Sequence, residues 1–156
     1  MKPANSRTQK VKDRQKGAAA VEFAMILPLL GILLLGVMEV GSIVRDYTVL
    51  KNAAREGARF SANPANQISL SQNSSTTLQT IQNRVVAYLQ NENITVSAGN
   101  VTIDQAYPVQ IGALTVMGSH VTVTYNRSLI FPGVTSLIPS LGTLQLTGDA
   151  VFRNFY

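Results

Sequence analysis

The chain has no cysteine, no tryptophan and a single histidine, His120. Without thiols there can be no disulfide, no thiolate nucleophile and no Cys-based zinc site. The lone imidazole has no cysteine beside which to complete a metal-ligand set, and it reads as a sheet residue at the start of a strand. No Gly-x-Ser-x-Gly turn and no glycine-rich phosphate loop occur. Glu92, Asp104 and Asp149 are isolated acids, so paired-carboxylate hydrolysis has no support in the sequence. The expectation is a protein that is not an enzyme and that takes no cofactor and no metal. Charge is also scarce over one long stretch: from Ala18 to Val44 only Glu22 and Glu39 are charged.

The net charge of +5 has a location. Lys2, Arg7, Lys10, Lys12, Arg14 and Lys16 face only Asp13 within residues 1–16, so this leader holds the whole excess. The remainder balances basic against acidic side chains and has no basic cluster interleaved with aromatics, which argues against a nucleic-acid partner.

The run from Ala18 to Val44 is rich in Leu, Ile, Val, Met and Ala. A bilayer core ~30 Å thick is crossed by about 20 apolar residues rising 1.5 Å each. Glu22 then falls shallowly inside the near leaflet and Glu39 near the far interface. Three readings compete. A secretory signal peptide has a shorter apolar core followed by a small-residue cleavage site; this run is too long and the surroundings of Ser42 suit the peptidase poorly. A plain signal anchor fits the length and the cationic flank. A prepilin-type signal, cut on the cytoplasmic side after Gly17, also explains the glycine at the polar–apolar border and the acid five residues on. An acid within a membrane helix costs roughly 2.5–3.5 kcal/mol at its centre and is a functional candidate for that reason. Cleavage would create an ammonium at Ala18 to partner Glu22. In either of the last two readings, the positive-inside bias puts the leader in the cytoplasm and Asp46 onward outside. Pro28 is expected to kink the helix or free a carbonyl. Gly31, Gly36 and Gly41 do not have the GxxxG dimer spacing.

Past Val44 the helix is expected to continue. Tyr47, Val49–Leu50, Ala53–Ala54, Gly57–Ala58 and Phe60–Ser61 recur every three or four residues, with Lys51, Arg55, Glu56 and Arg59 on the wet side. Ala53, Ala54, Gly57 and Ala58 make a small-residue face that packs either on the chain's own sheet or on a neighbouring subunit. Asn63-Pro64 stops the helix. Residues 65–77 read as a polar loop, and Ser74 or Ser75 as the cap of a second helix to about Asn91 with a stripe of Leu78, Ile81, Val85 and Leu89. Beyond Asn93 the period becomes two, with strands at Val101–Asp104, Val121–Asn126 and Thr143–Phe152 and a further strand around Val109–Met117. Phe131–Leu141 reads as a Pro/Gly-punctuated connection. The fold class is α+β: a long N-terminal transmembrane helix running into a head in which a second helix packs on an antiparallel sheet. The organisation is a leader (1–17), a transmembrane segment (18–44), the continued helix (45–62) and an extracytoplasmic head (63–156).

The border Gly17-Ala-Ala-Ala-Val-Glu-Phe23, the run AMILPLLGILLLGVMEVG to Gly41, and LKNAAREGARFSA from Leu50 to Ala62 resemble the TadE-like minor pilins, or pseudopilins, of the tight-adherence (Flp-type) pilus. The resemblance is close over residues 10–62 and loose beyond. It implies cleavage between Gly17 and Ala18 by a prepilin peptidase, with Glu22 and Phe23 as recognition and assembly residues. It implies as partners other pilin and pseudopilin subunits, the pilus assembly platform in the membrane, and the lipid bilayer. The location would be the bacterial inner membrane, with possible incorporation in a pilus. Ala18 departs from the Phe or Met that starts many type IVa pilins, and the chain is longer than a major Flp subunit. The competing reading is an uncleaved single-pass protein whose exterior head binds an envelope partner.

Overall fold

The structure, a computed structural model, describes residues 6–67, 74–129 and 142–154, with side chains from residue 18 in the first stretch and from residue 75 in the second. Helix α1 (Ser6–Ser61) is followed by a 3-10 turn at Pro64–Asn66 and helix α2 (Ser74–Asn91). A second 3-10 turn (Ala98–Asn100) leads into β1 (Val101–Ile111), β2 (Leu114–Ser128) and β3 (Thr143–Arg153). The strands form one antiparallel sheet in the order β1-β2-β3. The fold is α+β, as the periodicities predict. Two compact units divide the chain, Met1–Gly41 and Ser42–Tyr156.

In the first unit every Val, Leu, Ile, Met and Phe from Val21 to Val40 is exposed, Leu35 least at 41%. Burying one such side chain is worth about 1.5–3 kcal/mol, so this face requires lipid or protein against it. From Ala18 onward α1 is long and apolar enough to cross a membrane, with mean hydropathy 2.4 over its most apolar window. It passes through Pro28 without interruption. Pro28 has no N–H to give to the carbonyl four residues earlier, at Ala24.

In the second unit α1 lays Leu50, Ala53, Ala54 and Ala58, all fully buried, along one side. Tyr47 does not join them: it is 40% exposed beneath the Lys51 ammonium, 4.9 Å from its ring centre. The helix stops where expected. Asn63 is extended, as a residue before proline must be, and its side chain accepts a bond from the Ala65 amide at 3.1 Å.

In α2, Ile81, Val85 and Leu89 are fully buried, whereas Leu78, in the second turn, is only half-buried. Ser74 and Ser75 already lie within the helix, so neither is its cap; the position before them falls outside the described residues. The C-terminus is closed by a Schellman motif. Asn93 takes a left-handed φ of 62°, its amide bonds the Gln90 carbonyl at 3.0 Å, and the Ile94 amide bonds the Leu89 carbonyl at 2.9 Å. Ile94 is buried beside Leu89, the apolar contact that accompanies this motif.

The separate strand expected around Val109–Met117 does not exist. Those residues turn a hairpin at Gly112-Ala113, between the pair Ile111 and Leu114. Gly112 alone has a positive φ, 62°, the signature of a type II′ turn with glycine first. The alternation there was hard to read because β1 carries a bulge: two residues, Gln105 and Ala106, face only Ser119 between the pairs Asp104–His120 and Tyr107–Gly118. The side-chain phase flips across it. His120 therefore lies well inside β2 rather than at a strand start. Residues 68–73 of the predicted loop and the Phe131–Leu141 connection lie outside the described residues.

Candidate functional site

The Gly17–Ala18 border lies inside α1 with no break in the helical backbone. Ala18, Glu22 and Phe23 are all exposed, and Glu22 sits one helical turn past Ala18 on the same side. From Phe23 to Met38 there is no charge; Glu39, half-buried, ends the run. The two acids are about 26 Å apart along the axis at 1.5 Å per residue, close to the span of a hydrocarbon core.

The small-residue face lies in the other unit and is taken up there. Ala53, Ala54, Gly57 and Ala58 are buried. A Cβ on Gly57 would stand 2.5 Å from Val85 Cγ2 and 3.3 Å from Val121 Cγ1, so this face is where α1 meets α2 and β2. Glu22 and Phe23 belong to the first unit and these four residues to the second. Of the isolated acids, Glu92 pairs with Arg45 at 3.5 Å, Asp104 accepts the Ala106 amide across the bulge at 2.9 Å, and Asp149 is exposed on β3. The His120 ring leans on Tyr107, centres 4.6 Å apart.

A polar junction just past Gly41 was not singled out from the sequence. Arg127, on the inward side of β2 and 5% exposed, points its guanidinium at the Asp46 carboxylate, 3.4 Å away, and bonds the Ser42 hydroxyl. Asp46 also faces Arg45 at 3.7 Å, and Arg45 reaches Glu92 and its carbonyl oxygen at 3.2 Å. The start of α1 in this unit is thereby tied to β2 and to the end of α2. One signal could have found it: Arg127 continues the inward phase of Val121, Val123 and Tyr125, and a charge at an inward position needs a partner.

A family model described as TadE-like protein matches residues 17–59. Over that stretch the chain is similar to TadE-like proteins. No curated protein and no solved structure matches it. The TadE-like segment opens at Gly17 itself, includes the exposed apolar helix, and ends on the last turns of α1, so it spans the junction at Ser42 and Asp46. The similarity is confined to residues 17–59, and among the described residues one helix, near the N-terminus, is long and apolar enough to cross a membrane.

Proposed function

We propose that the chain is a minor pilin precursor, or pseudopilin, cut after Gly17 by a prepilin peptidase and assisting assembly of a tight-adherence pilus used in surface adhesion and biofilm formation. The observation that carries this is the coincidence of two borders: the basic leader gives way to the apolar run, and the TadE-like match starts, at Gly17. The leader holds orientation in the inner membrane and presents the Gly17–Ala18 bond on the cytoplasmic side. Cleavage frees the ammonium of Ala18. The Glu22 carboxylate of one subunit then meets the ammonium of its neighbour. At an effective dielectric of about 20, such a pair about 4 Å apart is worth ~4 kcal/mol before desolvation, enough to select a register. In this reading the protein is not an enzyme and works by contact with pilin subunits and the membrane assembly platform.

Intact mass and N-terminal sequencing of the protein from its own membranes test the reading. A mature chain starting at Ala18 supports it, and a Gly17→Ala chain should stay full length in the membrane. Retention of Lys2–Gly17 in the native chain would favour an uncleaved anchor with an exterior binding head. Glu22→Ala should insert normally but give few or no pili by electron microscopy; normal piliation would remove the pairing role.

A further inference from the structure

The two edges of the sheet are finished differently. On β1 the outward backbone of Val101 is satisfied: its amide bonds the Ala98 carbonyl and its carbonyl accepts from the Gln82 side chain at 3.0 Å. Further along, the bulge turns the Ala106 amide onto Asp104, and Pro108 has no amide to offer. These are the devices by which a sheet edge is closed to further strands. Among the described residues, the β3 edge has none of them. Its residues Thr143–Arg153 contain no proline and pair with β2 without a register shift.

The hydrogen-bond phase shows which groups β3 presents. The Asn154 amide bonds the Met117 carbonyl at 3.1 Å, so alternate residues counted back from Asn154 face β2. Asp149, Val151 and Arg153 therefore direct their backbone N–H and C=O groups to the open edge. Beside this edge runs a groove of about 660 Å³ between α1 and residues Asp149–Phe152. Its α1 wall carries Arg55 and Arg59, one turn apart, both exposed and in no ion pair among the described residues. Glu56, on the same wall, is already engaged by Arg84 at 2.7 Å. The charge left over on that wall is positive.

We propose that the β3 edge receives an extended, acidic segment of a partner protein as a fourth strand. The main chain of the partner bonds the outward groups of Asp149, Val151 and Arg153, and its alternate side chains lie on the helix side of the sheet, facing Arg55 and Arg59. Main-chain bonds give such strand addition its affinity and the alternate side chains its selectivity. A second copy of this chain fits less well. Antiparallel pairing of two β3 edges puts both α1 helices on one face and sets Arg55 and Arg59 against the same pair across the dyad.

The test uses the full chain in detergent micelles and short peptides alternating Glu with Val or Lys with Val. The Glu–Val peptide should bind and slow hydrogen exchange at the Asp149, Val151 and Arg153 amides. The Lys–Val peptide should bind at least about tenfold more weakly. A Glu–Val peptide with N-methylated backbone should not bind, which probes strand addition without altering the protein. The pair Arg55→Glu and Arg59→Glu, both exposed, should reverse the preference between the two peptides. Absence of binding at millimolar peptide overturns the proposal, as does equal binding of both peptides, or binding that leaves those amides unprotected. Protection of the same amides that appears without peptide and grows with protein concentration would assign the edge to a second copy and overturn it equally.

Discussion

Asp46 answers two cations, Arg45 at 3.7 Å and the buried guanidinium of Arg127 at 3.4 Å. The two partners are not equivalent, because the Arg45 side chain is 55% exposed and that of Arg127 only 6%. Water can replace the first interaction and cannot reach the second. Asp46→Ala is therefore expected to cost about 3–5 kcal/mol, the usual result of removing one partner from a buried pair. Asp46→Leu combined with Arg127→Met should recover most of that loss, and chemical denaturation followed by circular dichroism measures both. Asn93 makes a second residue-scale case. Its φ of 62° suits Gly and Asn and penalises a β-branched side chain. Asn93→Val should cost about 1–2 kcal/mol while Asn93→Gly stays within roughly 0.5 kcal/mol of the parent; thermal melts of the two variants decide.

Helix α1 and strand β3 meet with nothing but backbone between them at one point. A Cβ on Gly148 would lie 2.5 Å from the Leu50 carbonyl carbon and 2.7 Å from its oxygen. Since both obstacles are main-chain atoms, no side-chain rotation relieves the contact. Gly148→Ala should push the helix off the sheet, destabilising by about 1–3 kcal/mol or more, and should raise hydrogen-exchange rates in β3 before β1. At the C-terminal end of α1 a closed ring of hydrogen bonds joins α1, β1, β2 and Asn154, the residue after β3. Gln105 Nε2 donates to Ser61 Oγ, Ser61 to Ser119, Ser119 to Asn154 Oδ1, and Asn154 Nδ2 back to the Gln105 carbonyl. Gln105 enters this ring in the same inward phase as Val101 and Ile103.

The molecule as a whole concentrates its described core residues in the unit that begins at Ser42 and its exposed apolar residues in the unit that ends at Gly41. A chain begun at Ser42 should remain in the supernatant after membrane sedimentation and melt cooperatively, while the full chain stays with membranes through carbonate extraction. Retention of the shortened chain in membranes would contradict the assignment of anchoring to the apolar run that begins at Ala18.

Periodicity and composition were sufficient for α1 from Ala18 onward, for its stop at Asn63-Pro64, for α2 with Ile81, Val85 and Leu89 inside, and for the antiparallel class of the sheet, because each of these depends on residues close together in the chain. The apolar run was legible for the same reason. Strand count, the fate of the small-residue face and the partner of Arg127 were not. The bulge shifts side-chain phase within one strand, so Val109–Met117 looked like an element of its own. Whether Ala53, Ala54, Gly57 and Ala58 lie against their own sheet or another subunit depends on the approach of Val85 and Val121, far along the chain. Asp46 and Arg127 are separated by eighty-one positions, and local sequence carries no information about which distant carboxylate a buried guanidinium will meet. Only the packed sheet and helices bring them together, and only strand order leaves β3 with an open edge.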